Sequence, residues 1–359
     1  MSEKIKVASL YCGAGGLDFG FNKRPSFDHV FANDFDKSAC ATYLENFPGC
    51  ANALKCGPIE NFVPDLMRMK IDLLLAGFPC PSWSMAGKRK GFDDKRGQEF
   101  FTCLSVLHGA KPQMFIFENV KGLLSHNGGE SFAFMLTALK NLGYRVVHQI
   151  IKMSRYGVPT ERTRVILIGV LDHNVDPHEA FPKVSAAGDL SLRRVLETVA
   201  AAPNLANHNH HAPQKKMHWI QVLKEGESLP LIKREIIEAR ERELGLENLK
   251  IPTSIMDYRR LDRNKIAPTM MFGNTSLPIH PFENRNLSVR EVATIQGFPL
   301  DFVFKGGISA QYKQVGNAVP PLFSDQLAER VEELFMKMND RVESAESEED
   351  SETSVQSAG

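Results

Sequence analysis

Short apolar runs recur through the first half of the chain, and each stops at a glycine or at a polar residue. "KIKVASLYCGAGG" reads as a buried strand ending in a glycine turn, "HVFANDFD" as a second strand ending at Asp34, and "IDLLLAGFPC" and "QMFIFENV" as two more. Between them, "DKSACATYLENF", "FFTCLSVLHGA" and "SFAFMLTALKNLGY" carry apolar residues at helical spacing. "VVHQIIKMSRYGVPTERTRVILIGV" then gives two strand-like runs around a turn. Strands alternating with helices predict an α/β fold, a doubly wound, mostly parallel sheet with helices on both faces. Such sheets bind ligands beyond the carboxyl ends of their strands. Cys12, Asp34, Cys80 and Glu118 fall at those ends.

After residue 172 the alternation is lost. Residues 173–286 read as a second, smaller and irregular domain, rich in His, Pro and Asn around "AAPNLANHNHHAPQ", with one helical run, "PLIKREIIEARERELGLENL". Order returns at "LSVREVATIQGFP" and in the amphipathic "PPLFSDQLAERVEELFMKM", so residues 287–338 are expected to complete the first domain, begun by residues 1–172. Residues 339–359 are acidic, Ser-rich and without aromatics, a composition that predicts disorder.

Charge and cysteine usage narrow the classes. The formal net charge of the 359 residues is zero, but the segment from Arg341 onward holds six acids against one Arg, leaving the body basic and open to an anionic partner. All six cysteines lie in the first third, with no C-x-x-C pair, which predicts neither a disulfide framework nor a zinc site. "HNHH" at 208–211 is read as a polar loop. No apolar run approaches the ~20 residues that span a bilayer, and the N-terminus lacks a signal peptide pattern, so a cytoplasmic location is expected.

Several motifs carry chemistry. Gly13, Gly15 and Gly16 follow a strand directly, where absent side chains let a ligand approach the backbone. Asp34, 18 residues beyond Gly16, stands where nucleotide-binding sheets present a carboxylate to ribose hydroxyls. Phe35 can stack on an adenine ring or serve as a core residue. Cys80 sits between Pro79 and Pro81, presented by Gly77, and Lys88, Arg89 and Lys90 lie close enough in sequence to lower a thiol pKa. The net basic stretch from Ser82 to Gly97 reads as a lid that touches phosphates. Glu118, if desolvated at its strand end, has a raised pKa and can donate a proton. Arg162 and Arg164, two apart, share one face of a strand.

Together and in this order, the motifs resemble those of the bacterial-type DNA (cytosine-5)-methyltransferase family. "LYCGAGGLDFGF" is similar to its first cofactor motif, "GFPCPSWSMAGKRKGFDDKRGQEFF" to its catalytic loop, "FENVKGLL" to its Glu-Asn-Val motif and "YGVPTERTRVILIGV" to its Arg-x-Arg strand. "LSVREVATIQGFP" and "QVGNAVP" resemble its two closing motifs. The resemblance implies a class I methyltransferase fold and transfer of a methyl group from S-adenosylmethionine to carbon 5 of a cytosine flipped out of a specific double-stranded DNA sequence.

The same resemblance assigns the residues. It implies that Cys80 adds to carbon 6, that Glu118 protonates or holds nitrogen 3, and that Arg164, with Arg162 beside it, holds the ring oxygen. Asn119 and Val120 shape that pocket. Tyr11, Gly13, Ala14, Gly15, Gly16 and Leu17 line the methionine end of the cofactor, Asp34 the ribose, and Phe35 and Ile59 the adenine, with Gly77, Pro79, Asn317 and Ala318 closing the pocket. Ser82, Ser84, Lys88, Arg89, Lys90 and Arg96 are the implied DNA contacts, and the domain at 173–286 reads the target. No metal is implied. A monomer, nucleoid-associated when acting, with a separate restriction endonuclease as counterpart, is the implied setting. Three departures stand out: Tyr11-Cys12 for Phe-Ala, Pro81 for Gln, and Pro58 where the family often has Asp. The alternatives are a tRNA cytosine-5 methyltransferase, whose Cys-Phe-Thr signature is missing because 173–286 contains no Cys, and an inactive DNA-binding relative.

Overall fold

The structure is a computed structural model and describes residues 3–78, 98–185, 188–210, 217–246, 259–270 and 278–356. Seven strands form one sheet: β1 Ile5–Leu10, β2 Phe27–Asp34, β3 Leu54–Cys56, β4 Leu73–Ala76, β5 Met114–Val120, β6 Arg145–Lys152 and β7 Thr163–Val170. Their order is β3-β2-β1-β4-β5-β7-β6, with β7 antiparallel to both its neighbours and the remaining adjacent pairs parallel. This is the mostly parallel, doubly wound sheet that the alternating pattern predicts. Strand order reverses between β1 and β4, so the crevice for a ligand opens at their carboxyl ends, where Leu10 and Ala76 lie side by side.

The central strands are apolar without alternation because both faces are covered. Leu73, Leu75, Ile116, Ile166 and Ile168 pack toward one face, with Phe323, Leu327, Val331 and Phe335. Leu74, Ala76, Phe115, Phe117, Val165 and Leu167 pack toward the other, with Phe100, Cys103, Leu107, Met135 and Leu139. The period-2 division of each strand between the faces is direct evidence of its pleat.

Helices α1 Phe19–Asn22, α2 Lys37–Asn46, α3 Val63–Leu66, α4 Gln98–Ala110 and α5 Glu130–Asn141 follow in the first half. Asp36 caps α2 by accepting from the N–H groups of Ser38 and Ala39. Next come α6 Leu192–Ala200, α7 Met217–Val222, α8 Arg234–Glu243, α9 Val289–Ile295, α10 Ile308–Asn317 and α11 Pro321–Gln356. Ser288 and Glu291 form a capping box at the start of α9. α11 closes one face of the sheet against α1, and Gly20 permits the approach: a Cβ there would lie 2.3 Å from the carbonyl oxygen of Ser324. Gly20 N–H donates to Ser324 Oγ at 3.0 Å, a contact across 304 residues.

Two features of the later chain add to the reading made from composition. The chain does not leave the sheet at 173, because Val175, Ala180 and Phe181 pack in the core beside Val170 and Phe335. α6 then buries Leu192, Val195 and Leu196 with Val289, Val292 and Phe298, an amphipathic helix that the His- and Pro-rich composition around it conceals. A separate small core remains: Ile220, Val222, Leu223, Leu229, Ile237 and Ile279. The buried Arg260 organises it by donating to the backbone carbonyls of Ile220, Leu223, His280 and Glu283 and to Asn284 Oδ1. The second feature concerns residues 339–359, for which composition predicts disorder. α11 continues through them to Gln356, since no Gly or Pro interrupts 341–356 and extending a helix already held by packing costs little.

Candidate active site

The β1–α1 turn is built on left-handed backbone: Tyr11, Gly13 and Gly15 have φ values of 56°, 57° and 82°. Gly15 backs onto α2, where a Cβ would fall 2.3 Å from the Phe47 ring, and Gly16 backs onto the segment after α10. The turn is fastened to Asp34, whose Oδ2 accepts from Gly13 N–H at 2.9 Å and whose Oδ1 accepts from Asp36 N–H at 2.8 Å. Burial pushes the Asp34 carboxyl up, against the pull of those two donors. Phe35, next in sequence, is 70% exposed, a large apolar ring held at the cavity mouth without a covering partner.

A cavity of about 400 Å³ opens here. Tyr11, Gly13, Ala14, Gly16, Leu17, Asp34, Phe35, Gly77, Asn317 and Ala318 line one part of it, and Glu118, Asn119, Val120 and Arg164 the other. Cys12, noted at its strand end, also lines it, as do Asp36, Lys313 and Gln314, which were not singled out from the sequence. Lys313 and Gln314 precede Asn317 by four and three residues on α10, the spacing that brings side chains to one helix face and that would have found them.

The inner end follows from strand register. Arg164 on β7 stands opposite Val120 on β5. Glu118 is two residues from Val120, hence on the same face, and its Oε1 lies 2.8 Å from Arg164 Nε. The contact is a buried ion pair, and among the described residues Oε1 has no other polar partner. Burial pushes the Glu118 carboxyl up, opposed by the charges of Arg164 and Arg162. Asn119 donates from Nδ2 to the Phe78 carbonyl at 3.0 Å, tying the end of β5 to the chain leaving β4.

Three of the expected residues lie outside the cavity lining. Gly15 supports the turn from behind. Ile59 is buried with Phe31, Leu66 and Phe78. Arg162 is 1% exposed and donates to the backbone carbonyls of Gly316 at 2.7 Å and Asn317 at 3.2 Å. Burial brings its guanidinium down to about 9. Pro79, Cys80, Ser82, Ser84, Lys88, Arg89, Lys90 and Arg96 lie outside the described residues. Among the described residues no cluster could hold a metal ion, and His208 of "HNHH" instead places Nδ1 2.9 Å from Ser288 Oγ.

The cavity therefore combines a nucleotide-type wall, a glycine turn with a carboxylate and an exposed ring, with an acid and a guanidinium at its inner end. Comparison with known proteins agrees with that combination. A family model described as C-5 cytosine-specific DNA methylase matches residues 5–333. The Type II methyltransferase M.NgoFVII of Neisseria gonorrhoeae is 31% identical over 352 residues, covering 95% of this chain and 90% of its own length. M.PspPI of Psychrobacter sp. is 33% identical over 332 residues, covering 89% and 77%. The crystal structure of S. pombe Dnmt2 methyltransferase superposes with a TM-score of 0.59 at 18% identity, over 92% of this chain and 99% of that one. The Entamoeba histolytica methyltransferase EhMeth gives 0.58 at 16%, over 94% and 99%. At those identities the structural likeness establishes the fold.

Proposed function

The chain belongs to the C-5 cytosine-specific DNA methylase family, and on that premise we propose how its residues divide the methylation of DNA at carbon 5 of cytosine. The observation that carries the proposal is that one cavity holds Asp34 and Phe35 on one side and the 2.8 Å Glu118–Arg164 pair on the other. A methyl donor and a cytosine ring then meet inside it.

The cofactor side fits S-adenosylmethionine. Asp34 is fixed by two backbone donors and each oxygen retains a lone pair for a ribose hydroxyl. Phe35 offers an uncovered face to adenine, and the glycine turn lets the methionine end approach the backbone. Bound there, the sulfonium supplies an electrophilic methyl group.

For the base, Glu118 and Arg164 have complementary tasks. A buried carboxyl with a raised pKa at the cavity's inner end can hold and protonate nitrogen 3. The Arg164 guanidinium beside it stabilises negative charge on the ring oxygen. Both acts draw electrons from carbon 6 and prepare it for a thiolate. Cys80, two residues beyond the Phe78 carbonyl that Asn119 holds, is the thiol we assign to that attack, converting the ring to an enamine nucleophilic at carbon 5. Asn119 is thus a positioning residue. Because carbon 5 and carbon 6 are inaccessible in a duplex, the base must leave the stack, and the basic stretch from Ser82 to Arg96 is assigned to DNA.

The small core around Arg260 is the body we assign to target recognition. No helix among the described residues is long and apolar enough to cross a membrane. With Type II methyltransferases as its relatives, we assign to the chain the role of a cytoplasmic, monomeric modification enzyme whose counterpart is a separate restriction endonuclease.

Trapping tests the chemistry. With fluorine at carbon 5, the proton loss that precedes thiol elimination is blocked, so a 5-fluorocytosine duplex should capture the wild-type chain in a denaturation-resistant adduct when S-adenosylmethionine is supplied. Cys80→Ser should give none while retaining DNA affinity. An adduct formed by Cys80→Ser at the wild-type rate would place the nucleophile elsewhere.

A further inference from the structure

Two cysteines that the catalytic assignment leaves unused meet beneath Asp34. β3 ends at Cys56, which pairs in register with Asp34, the last residue of β2. The Asp34 carbonyl accepts from Gly57 N–H at 3.0 Å and from Cys40 Sγ, on the first turn and a half of α2, at 3.3 Å. One oxygen therefore gathers the residue after Cys56 and the thiol of Cys40, and the strand pairing of Asp34 with Cys56 makes the two cysteines near neighbours. Cys40 is buried and Cys56 exposed.

We propose that Cys40 and Cys56 form an oxidisable dithiol whose closure as a disulfide lowers the affinity of the adjoining cofactor site. The inference rests on Asp34 being the ribose-binding carboxylate. A disulfide oxidant such as oxidised glutathione supplies the chemistry. The exposed Cys56 thiolate attacks one sulfur of the oxidant, forming a mixed disulfide and expelling one glutathione thiolate. The glutathione thiolate released in that step takes the Cys40 proton, the Cys40 thiolate attacks Cys56 Sγ, the intramolecular S–S bond forms, and the second glutathione thiolate leaves. The two protons of the protein thiols end on the two glutathiones, so the protein is oxidised by two electrons and the oxidant reduced by two.

Exposure fixes the order of these steps, since the oxidant reaches Cys56 directly and Cys40 only through it. Burial also holds the Cys40 thiol protonated, which protects it from reagents other than its neighbour. The structural effect follows from bond length. An S–S bond of about 2.0 Å is shorter than any hydrogen bond between thiols, so closure draws α2 toward β3 and removes the S–H donor from the Asp34 carbonyl. The N-terminus of α2 is joined to the cofactor wall through Asp36, which caps the helix with its side chain and donates its own N–H to Asp34 Oδ1. Movement of α2 is transmitted to the carboxylate.

The test uses full-length Cys80→Ser protein, so that the catalytic thiol takes no part, and measures S-adenosylmethionine binding by calorimetry. After oxidised glutathione, peptide mapping should show a cross-link between Cys40 and Cys56 with loss of two hydrogens, and cofactor affinity should fall about tenfold. Dithiothreitol should restore it. Adding Cys56→Ser should abolish both changes while leaving reduced-state affinity intact. Oxidation that never cross-links these two residues overturns the proposal, as does a complete cross-link with unchanged affinity. Reduced protein that fails to bind the cofactor at all would instead sink the Asp34 assignment and the regulatory half with it, while the cross-link is read independently by mass.

Discussion

Gly16 and Val319 approach so closely that a Cβ on Gly16 would stand 2.3 Å from the Val319 carbonyl oxygen and 2.9 Å from the Ala318 Cβ. The obstacles are backbone and a short side chain, neither of which can swing away. Gly16→Ala should therefore push the closing segment off the glycine turn. Denaturant unfolding should show a loss of about 1–3 kcal/mol, the usual cost of overpacking, and titration should show weakened cofactor binding. A variant of wild-type stability and affinity would contradict the packing described.

The raised carboxyl of Glu118 predicts a pH dependence. Its protonated form persists to higher pH than an ordinary glutamate, so the methyl-transfer rate should fall on the alkaline side as that carboxyl ionises. Glu118→Gln should remove this limb and slow transfer by about 10²–10⁴. The stability sign runs the same way: a folded-state pKa above the unfolded one contributes stability present below the unfolded pKa and lost as pH rises through the folded one. Glu118→Gln should gain stability relative to wild type as pH rises through that interval. pH-rate and pH-melting curves on both proteins check the two halves.

The family resemblance groups Arg162 with the catalytic residues, and in the structure its guanidinium meets the Gly316 and Asn317 carbonyls. Arg162→Met should leave both carbonyls without donors, at a cost on the order of 1–3 kcal/mol in denaturant unfolding. The Michaelis constant for the cofactor should rise, because Asn317 lines the cavity. An unchanged constant with reduced turnover would return Arg162 to the catalytic set.

Arg260→Met should dismantle the small core it organises, since four backbone carbonyls lose their donor. S-adenosylmethionine binding should survive and site-specific methylation should be lost, read by mapping 5-methylcytosine in DNA from cells expressing each form. Methylation of the same sites at the wild-type rate would remove this unit from target recognition.

Removing residues 342–359 should alter stability by no more than about 0.5 kcal/mol, because that segment is acidic and without aromatics, and among the described residues Leu334, Phe335 and Met338 are the last of α11 in the core. Thermal unfolding of the truncated chain measures it.

The sheet was legible because β1, β4, β5 and β7 are short and built around apolar runs bounded by glycine or polar residues, and Asp34 and Glu118 fell where strand ends place them. What escaped was held by contacts that leave no local pattern. Arg260 and Arg162 act on distant backbone carbonyls, which any sequence possesses. α6 is amphipathic but short, embedded in His, Pro and Asn. The length of α11 was missed because composition describes the isolated tail, whereas the structure extends a helix nucleated by packing.

The 304 residues between Gly20 and Ser324 also bear on how the molecule comes into being. A ribosome emits the glycine turn early, yet the groups that close the cavity around it, Asn317 and Ala318, emerge only with the final stretch of the chain. Pairings of such long range are slow to form, and the apolar face that α11 will cover stays open throughout synthesis. The nascent protein consequently has no complete cofactor cavity, and methylating capacity arises only once translation has passed the closing segment.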